Sequence, residues 1–373
     1  MRIVVAGGYA PSLLSLRGPL LKRLVALGHE VHALAPLHTP DVGPQLEALG
    51  VEYSIIPLAP GVFNPFADIS SLLHFKQIMH RINPDLVFSY SFKPVVFGAL
   101  AARMAWVAHK KRVYGMVTGL GYDFLRDSGL LRSVRFAVTK SMYRSGLRAC
   151  DGVIFQKDED ESLFRTLNLL PDHAETTVIN GTGVDMEEYG VAPLPEAPSF
   201  LCRSELRASM GVREYAAAAL RLKKQYPDIS FRLLGLLTDK DDAIPESEVN
   251  AWRESGLDVV GSTEDERAEI ARSSVFVWPS HRESAPQPVL RAMAMGRAVI
   301  AADAPGCREA VEFGRNGLLV PFGDEQALID AMQTLINDPS QVAAMGASGR
   351  ALVEDRFDAQ VHNDALLSFM GLI

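Results

Sequence analysis

The chain has 373 residues, of which 48% are hydrophobic and 22% are charged, and its formal net charge is −8. This length predicts two domains, each large enough for a hydrophobic core of its own. The composition is typical of a globular protein and excludes collagen-like, disulfide-scaffold and wholly disordered chains. No apolar run reaches the roughly 18 residues that a membrane-spanning helix needs.

The first residues and the cysteines indicate in which cellular compartment the protein is found. Residues 1–8 are apolar only until Gly7, so they lack the length and the cleavage site of a signal peptide and predict a first buried strand. Cys150, Cys202 and Cys307 are scattered and lack metal-ligand spacing, so we expect reduced thiols. Together these features predict a cytoplasmic protein.

Strand-like apolar runs alternate with amphipathic helical stretches along the chain. This alternation, with short connections rich in Gly, Pro and Asp, predicts α/β architecture with doubly wound parallel sheets in two Rossmann-like domains. Helices at 18–27 and 67–82 separate the first strands, a second set of strands begins at residue 152, and Val191–Ser199 is the predicted linker. The predicted strands are Ile3–Ala6, Val31–Ala35, Leu86–Ser89, Val113–Met116, Gly152–Phe155, Thr177–Ile179, Ser199–Cys202, Ser230–Leu234, Leu257–Val260, Val275–Val277 and Ala298–Ala301.

Positive charge is concentrated in the first half of the chain. Residues 1–180 have 19 Lys and Arg against 15 Asp and Glu, whereas residues 181–373 have a net charge of −12. Within the first half, Phe124–Cys150 holds six basic residues and one acidic residue. The spacing of its apolar residues predicts a helix with an apolar stripe and a separate basic face.

Two interpretations of this basic segment stay open. One is a helix that lies on an anionic membrane surface, where each cation contributes on the order of 1 kcal/mol. The other is a solvated helix face whose apolar stripe packs in the core. Nucleic acid is disfavoured as a partner because the whole chain is acidic. The candidate membrane-contacting residues are Arg132, Arg135, Lys140, Arg144 and Arg148.

The glycines after the first strand do not form the dinucleotide-binding motif Gly-x-Gly-x-x-Gly, so they say little about function. Eight short sequence strings are more specific. They are LRGPL at 16–20, GHEV at 28–31, SYSFKP at 89–94, VTGLGY at 117–122, NGTGVD at 180–185, PSHRE at 279–283, AMAMGRAVI at 292–300 and APGCRE at 304–309. In this order they resemble glycosyltransferase family 4, of GT-B fold, over nearly the whole chain. The first and fourth strings are most similar to bacterial enzymes that extend lipid-linked glycans for capsule, exopolysaccharide, O-antigen or protein glycosylation.

The resemblance implies an acceptor-binding domain at 1–178, a donor-nucleotide domain at 179–352, and a C-terminal helix within 353–373 that crosses back to the first domain. The two domains would face a cleft. The implied reaction is retaining, metal-independent transfer from a nucleotide-diphosphate sugar, with a UDP-sugar favoured, to a lipid-linked glycan acceptor. It needs no cofactor, and it implies a location on the cytoplasmic face of the cell membrane.

Four donor-site positions depart from the family pattern. The Arg and Lys that bind the donor diphosphate in the family fall on Glu205 and Met210 of this chain. The family also has two glutamates eight positions apart. The first is present here as Glu283, whereas Arg291 stands at the position of the second. The residue after the first glutamate is commonly Gly in the family and is Ser284 in this chain. Loss of two cations would cost about 3–6 kcal/mol of donor binding.

Two explanations of these departures stay open. In one, Arg203, on the same strand face as Glu205, and Arg207, in the next loop, supply the missing positive charge to a working enzyme. In the other, Glu205 and Arg291 pair across an empty site, and the protein is a catalytically silent homologue that binds a partner transferase or a glycan. A nucleotide-sugar epimerase ranks lower, and the missing dinucleotide fingerprint disfavours a dehydrogenase.

The resemblance also implies which residues contact the sugar donor and which contact the acceptor. Glu283 is the candidate catalytic residue, through the donor sugar hydroxyls, although a charge at a helix N-terminus explains it as well. Arg17 is a candidate for the acceptor diphosphate or a plain surface arginine. The donor-binding candidates are Arg203, Glu205, Arg207, Met210, Asn180, Gly183, Ser284, Ala285, Pro286, Val289 and Arg291. The acceptor-binding candidates are Arg17, Lys93, Thr118, Gly119, Gly121 and Tyr122.

Overall fold

The computed structural model describes residues 1–36, 40–58, 65–106, 111–118, 130–172, 174–261, 263, 265–281 and 286–373, without the side chains of 65, 130–135 and 236. The chain divides into two compact units. The first comprises Met1–Thr182 and Ala359–Ile373, and the second comprises Gly183–Asp358. The sequence placed these divisions at 178/179 and 352/353.

The first unit is built on a parallel sheet of seven strands. Its strands are β1 (Arg2–Ala6), β2 (Glu30–Ala35), β3 (Val51–Ile55), β4 (Leu86–Tyr90), β5 (Arg112–Val117), β6 (Gly152–Phe155) and β7 (Glu175–Val178). The helices among its described residues up to Thr182 are α1 (Pro11–Ser15), α2 (Gly18–Ala26), α3 (Val42–Ala48), α4 (Pro65–Ile82), α5 (Phe92–Ala105), α6 (Leu130–Leu147) and α7 (Asp158–Thr166). The strand order is β3-β2-β1-β4-β5-β6-β7, and every pairing is parallel.

The second unit repeats this architecture with six parallel strands. Its strands are β8 (Ser199–Glu205), β9 (Ser230–Leu236), β10 (Asp258–Val260), β11 (Val275–Trp278), β12 (Ala298–Ala302) and β13 (Gly317–Val320). Its helices are α8 (Val212–Gln225), α9 (Glu246–Glu254), α10 (Glu266–Ala271), α11 (Gln287–Ala294), α12 (Pro305–Ala310), α13 (Glu325–Asn337) and α14 (Pro339–Arg356). The strand order is β10-β9-β8-β11-β12-β13.

The last helix, α15 (Ala359–Phe369), belongs to the first unit and packs against α2. Leu366 and Leu367 are buried in the hydrophobic core that β1 and β2 share. Arg112 donates hydrogen bonds to the carbonyl oxygens of Met370 and Gly371 and so fixes the end of the chain. The chain therefore begins and ends in the same unit.

Every strand that the sequence predicts is present, and two strands were missed. Both missed strands, β3 and β13, lie at the edges of their sheets. In β3, Glu52 and Ser54 break the apolar run because an edge strand is only partly covered. The strand pattern grouped β6 and β7 with the second set, but they pair within the first sheet, where the domain bounds implied by the resemblance place them. The predicted linker at 191–199 lies inside the second unit.

The three cysteines are buried thiols that form no disulfide among the described residues. Burial raises the pKa of the Cys150 thiol to about 12. Because a thiolate is the reactive form, these cysteines serve packing in the two cores.

In each sheet the strand order reverses between two neighbouring strands. The reversal lies between β1 and β4 in the first sheet and between β8 and β11 in the second. Doubly wound sheets bind ligands outside the carboxyl ends of their strands at such points. These two strand ends are therefore the places to look for a site.

Candidate functional site

A cavity of about 340 Å³ lies at the carboxyl ends of β8, β9 and β11, where the order of the second sheet reverses. Its lining residues are Arg203, Ser204, Glu205, Arg207, Met210, Leu234, Lys240, Thr263, Glu266 and Trp278. Four of them, Arg203, Glu205, Arg207 and Met210, are predicted donor-binding residues. One cavity thus contains Glu205 and Met210, which depart from the family pattern. It also contains the two arginines that were predicted to supply the missing positive charge.

Glu205 contacts two cations of this cavity. Lys240 donates a hydrogen bond from Nζ to Glu205 Oε2 at 2.7 Å, and Arg207 Nη1 lies 3.5 Å from the same oxygen. Arg207 also donates from Nε to Asp242 Oδ1 at 2.7 Å. Hydrogen bonds from Ser209 and Arg207 hold the pKa of Asp242 well below its usual value. Asp242 is therefore a fixed anion that orients Arg207 from outside the cavity.

Glu266, the first residue of α10, is the second acidic residue that lines the cavity. Its Oε1 lies 3.5 Å from Arg203 Nε, and its Oε2 accepts a hydrogen bond from Arg291 Nη1 at 3.1 Å. The Arg291 guanidinium also lies 5.1 Å from the centre of the Tyr189 ring. Arg291 thus contacts the cavity through Glu266.

The hypothesis that Glu205 and Arg291 pair across an empty site is wrong. Glu205 lies against Lys240 and Arg207, whereas Arg291 lies against Glu266. The two exchanged charges therefore have separate partners, and they leave the cavity between them open.

The apolar part of the cavity lies next to the start of α8. Met210 lines it, and its Sδ is 3.5 Å from the Ser280 hydroxyl. Gly211 follows with a φ of 73°, and a Cβ there would lie 2.7 Å from the Pro279 carbonyl oxygen. Only glycine accommodates both conditions, so Gly211 lets the N-terminus of α8 approach the end of β11. Trp278 ends that strand, and within the described residues its buried Nε1 has no hydrogen-bond partner.

Of the other predicted donor residues, those that the structure describes are not among the residues that line the cavity. The side chain of Val289 is wholly buried in the core of the second unit. Pro286 is buried at the N-terminus of α11. Asn180 and Gly183 stand on either side of the division between the units. Glu283, Ser284 and Ala285 lie outside the described residues.

Arg17 is buried beside the strands next to the reversal point of the first sheet. Its guanidinium lies 5.0 Å from the centre of the Tyr90 ring and 5.8 Å from that of Phe88, and Nη2 contacts Met116 Sδ at 2.7 Å. Among the residues the structure describes, no carboxylate pairs with it and its Nε has no hydrogen-bond partner. Burial lowers the pKa of Arg17 to about 10. The interpretation as a surface arginine is therefore wrong, because this side chain is only 3% exposed.

Lys93 stands at the start of α5, directly after β4. Its ammonium donates to Asp68 Oδ1 of α4 at 2.7 Å, and both side chains are buried. A buried ion pair therefore compensates the charge of Lys93 inside the first unit. Thr118 is exposed after β5. The remaining acceptor candidates, Gly119, Gly121 and Tyr122, lie outside the described residues.

The basic helix α6 packs its apolar face into the first unit. Thr139, Tyr143 and Leu147 are buried on the face that meets α5. A Cβ on Gly146 would lie 2.6 Å from Val96 Cα, so glycine permits this close helix contact. The described apolar side chains of α6 thus pack in the core, so any contact of this helix with a membrane would be made by its basic residues.

The face of α6 that adjoins this buried face is basic. Arg144 and Arg148 line a groove of about 690 Å³ together with residues 168 and 170–172. Arg144 donates from Nε to the Asn168 carbonyl oxygen at 3.2 Å, and Arg148 is exposed. Arg132 and Arg135 lie on the same helix, outside the described side chains. Throughout the described part of the chain, no helix combines the length and hydrophobicity that crossing a membrane requires.

Two family models match the chain, one for each unit. Residues 18–181 match the glycosyl transferase 4-like domain, and residues 197–338 match glycosyl transferases group 1. The second matched range contains the whole lining of the cavity.

Curated relatives and solved structures cover the chain almost end to end. The N,N'-diacetylbacillosaminyl-diphospho-undecaprenol alpha-1,3-N-acetylgalactosaminyltransferase of Campylobacter jejuni is 23% identical over 352 residues, 91% of this chain and 90% of the relative. The capsular polysaccharide biosynthesis glycosyltransferase CapM of Staphylococcus aureus is 23% identical and covers 79% of each chain. The structure of Anabaena HepE in complex with UDP is 18% identical, with a TM-score of 0.73 over 100% of both chains. The chain therefore belongs to the glycosyltransferases of GT-B fold, with a family 4-like domain followed by a group 1 domain.

Proposed function

We propose that this glycosyltransferase moves a sugar from a nucleotide diphosphate, with a UDP-sugar favoured, onto a lipid-linked glycan in the synthesis of a cell-surface polysaccharide or glycoconjugate. The observation that supports binding of such a donor is the cavity in the second unit, at the point where the strand order of its sheet reverses. Arg203, Arg207 and Lys240 line this cavity. A leaving diphosphate carries about two negative charges, and these three cations at a strand end supply positive charge to it; Glu205 and Glu266 line the same cavity and pair with the cations in the absence of a donor.

The nucleotide and the acceptor are proposed from the relatives. The Anabaena structures hold UDP or UDP-glucose. The Campylobacter relative is named for a diphospho-undecaprenol-linked sugar, and the Staphylococcus relative is named for capsular polysaccharide biosynthesis. A lipid-linked diphosphate acceptor fits a first unit that keeps Arg17 buried without an acidic partner among its described residues.

The proposed chemistry is retaining and independent of a metal ion. Cations and the N-terminal end of α8, which begins directly after Gly211, stabilise the charge on the leaving diphosphate. The leaving phosphate itself accepts the proton of the acceptor hydroxyl, so the chain needs no separate base. Transfer is then expected to continue unchanged in the presence of a metal chelator.

Calorimetric titration with UDP, GDP and a panel of their sugars tests the donor side. We expect the unaltered chain to bind one of the two diphosphates with micromolar affinity, about −8 kcal/mol, because the cavity keeps three lining cations. The titration is repeated on Glu205→Arg with Met210→Lys, which restores the family pattern. Binding only by this double variant would contradict the proposal and would favour the catalytically silent homologue.

We also propose that the basic face of α6 attaches the protein to the anionic inner surface of the cell membrane. Replacing Lys140, Arg144 and Arg148 together by Gln is expected to lower co-flotation with anionic liposomes at low salt by about 100-fold. The reason is that each cation near the surface contributes about 1 kcal/mol. The measurement is liposome flotation at two salt concentrations, and binding of the unaltered chain should weaken at the higher one.

A matched control variant distinguishes an effect of this basic face from an effect of the net charge of the protein. Gln at Arg221, Lys224 and Arg253 removes three exposed cations from the second unit and is expected to leave flotation unchanged. Equal losses in both triple variants, or no flotation by the unaltered chain, would contradict the membrane proposal.

A further inference from the structure

The donor cavity contains an ion pair where the proposed function places a diphosphate. Resting on that function, we infer that Glu205 is the carboxylate that a nucleotide diphosphate displaces from Lys240 and Arg207 when it binds. On this inference Lys240, which no sequence pattern indicated, is a diphosphate-binding residue of this chain. Glu205 is an internal competitor that keeps the two cations in place between binding events.

The geometry of Glu205 is that of a phosphate substitute. A single oxygen, Oε2, accepts from Lys240 Nζ at 2.7 Å and lies 3.5 Å from Arg207 Nη1. Carboxylate and phosphate oxygens accept the same charge-assisted hydrogen bonds from lysine and arginine. A diphosphate oxygen at that point would satisfy both cations without any rearrangement of their side chains.

The exposure of the three side chains shows which partner is able to leave. Glu205 is 41% exposed and Lys240 is 51% exposed, whereas Arg207 is only 17% exposed. An ion pair between half-exposed side chains contributes little to stability, and the carboxylate has water to turn into. Arg207 remains in place when Glu205 leaves, because its Nε is held by Asp242. Of these three side chains, Arg207 is therefore a fixed cation, Lys240 a movable cation and Glu205 a movable anion.

Electrostatic repulsion makes the exchange obligatory. A diphosphate adds about two negative charges at hydrogen-bond distance from Lys240 and Arg207, and Glu205 Oε2 already occupies that place. Both anions cannot keep the same contacts, so Glu205 must give up its contacts for the ligand to gain them. The acidic residue at the family's arginine position thus weakens donor binding without abolishing it.

The test is UDP affinity, measured by calorimetry on the full chain. Glu205→Gln is expected to bind UDP about tenfold more tightly, because the competitor loses its charge. Lys240→Gln is expected to bind UDP about tenfold more weakly. Glu248→Gln is the matched control, since it removes an acid paired with Arg213 outside the cavity, and it should stay within about twofold. Thermal unfolding of each variant confirms that it is folded.

The outcomes separate the inference from the proposed function. Tighter binding by Glu205→Gln together with weaker binding by Lys240→Gln supports the exchange. If the unaltered chain binds UDP and Glu205→Gln binds it equally or more weakly, Glu205 is not a competitor and the inference is overturned while the donor site stands. If neither UDP nor GDP binds to the unaltered chain or to any variant, the donor site itself is refuted.

Discussion

Replacing Arg17 with methionine is expected to raise the free energy of unfolding by roughly 1–3 kcal/mol and to abolish transfer to a lipid-diphosphate acceptor. The guanidinium is 3% exposed and has no acidic partner among the described residues. Its remaining contacts are the rings of Tyr90 and Phe88 and the sulfur of Met116, which return only part of the desolvation cost. Methionine fills the same space without a charge to desolvate.

The measurement is urea unfolding of both proteins, together with transfer assays and UDP titration. UDP binding should be unchanged, because Arg17 belongs to the first unit and the donor cavity to the second. A gain in stability with a loss of acceptor use would mean that the chain keeps a costly buried cation for its ligand. A loss of stability would contradict this and make Arg17 a structural residue.

Arg297 supplies the matched control, because it is also a buried arginine and burial lowers its pKa to about 10, as it does that of Arg17. Its guanidinium donates hydrogen bonds to the carbonyl oxygens of Ile270, Ala271 and Pro193. Arg297→Met leaves these acceptors without their donor and is expected to lower the free energy of unfolding by about 2–4 kcal/mol. The two substitutions are chemically identical, so opposite signs isolate the effect of the missing partners.

The sequence predicts the sheets well at their centres and less well at their edges. Strands β1, β4 and β8 are buried and apolar, so they stand out as short continuous runs. Edge strands such as β3 carry polar residues on their exposed positions, and the pattern loses its contrast. The order of strands within a sheet is set by packing between elements distant in sequence, so the strand pattern alone did not show that β6 and β7 belong to the first sheet, whereas the domain bounds implied by the resemblance included them.

The candidate site is predictable where it depends on a strand and unpredictable where it depends on loops. Strand alternation is enough to place Arg203 beside Glu205 in the cavity. Lys240 and Glu266 reach the same cavity from the segments that follow β9 and β10, and no short string in the sequence indicates them. The rule that ligands meet strand ends at a reversal is the one signal that would have found them.

Replacing Arg207 with glutamine is expected to lower kcat/KM for transfer by about 10- to 150-fold. This range corresponds to the roughly 1.5–3 kcal/mol that a charge-assisted hydrogen bond to the leaving diphosphate contributes. Arg207 is suited to this role because Asp242 binds Nε and leaves the Nη groups in the cavity. Arg207→Lys should recover little activity, since one ammonium cannot replace a fork that contacts two anions.

Arg213→Gln is the control for this prediction. Arg213 also stands near the start of α8 and also pairs with an acid, Glu248, but it lies outside the cavity. Its loss should change kcat/KM by less than about twofold, because exposed ion pairs contribute little. The split between kcat and KM adds a second criterion: a contact made mainly with the leaving group lowers kcat, whereas a contact made equally in the ground state raises KM. If Arg207→Gln and Arg213→Gln behave alike, the diphosphate does not bind in this cavity, and the donor site must be sought elsewhere in the chain.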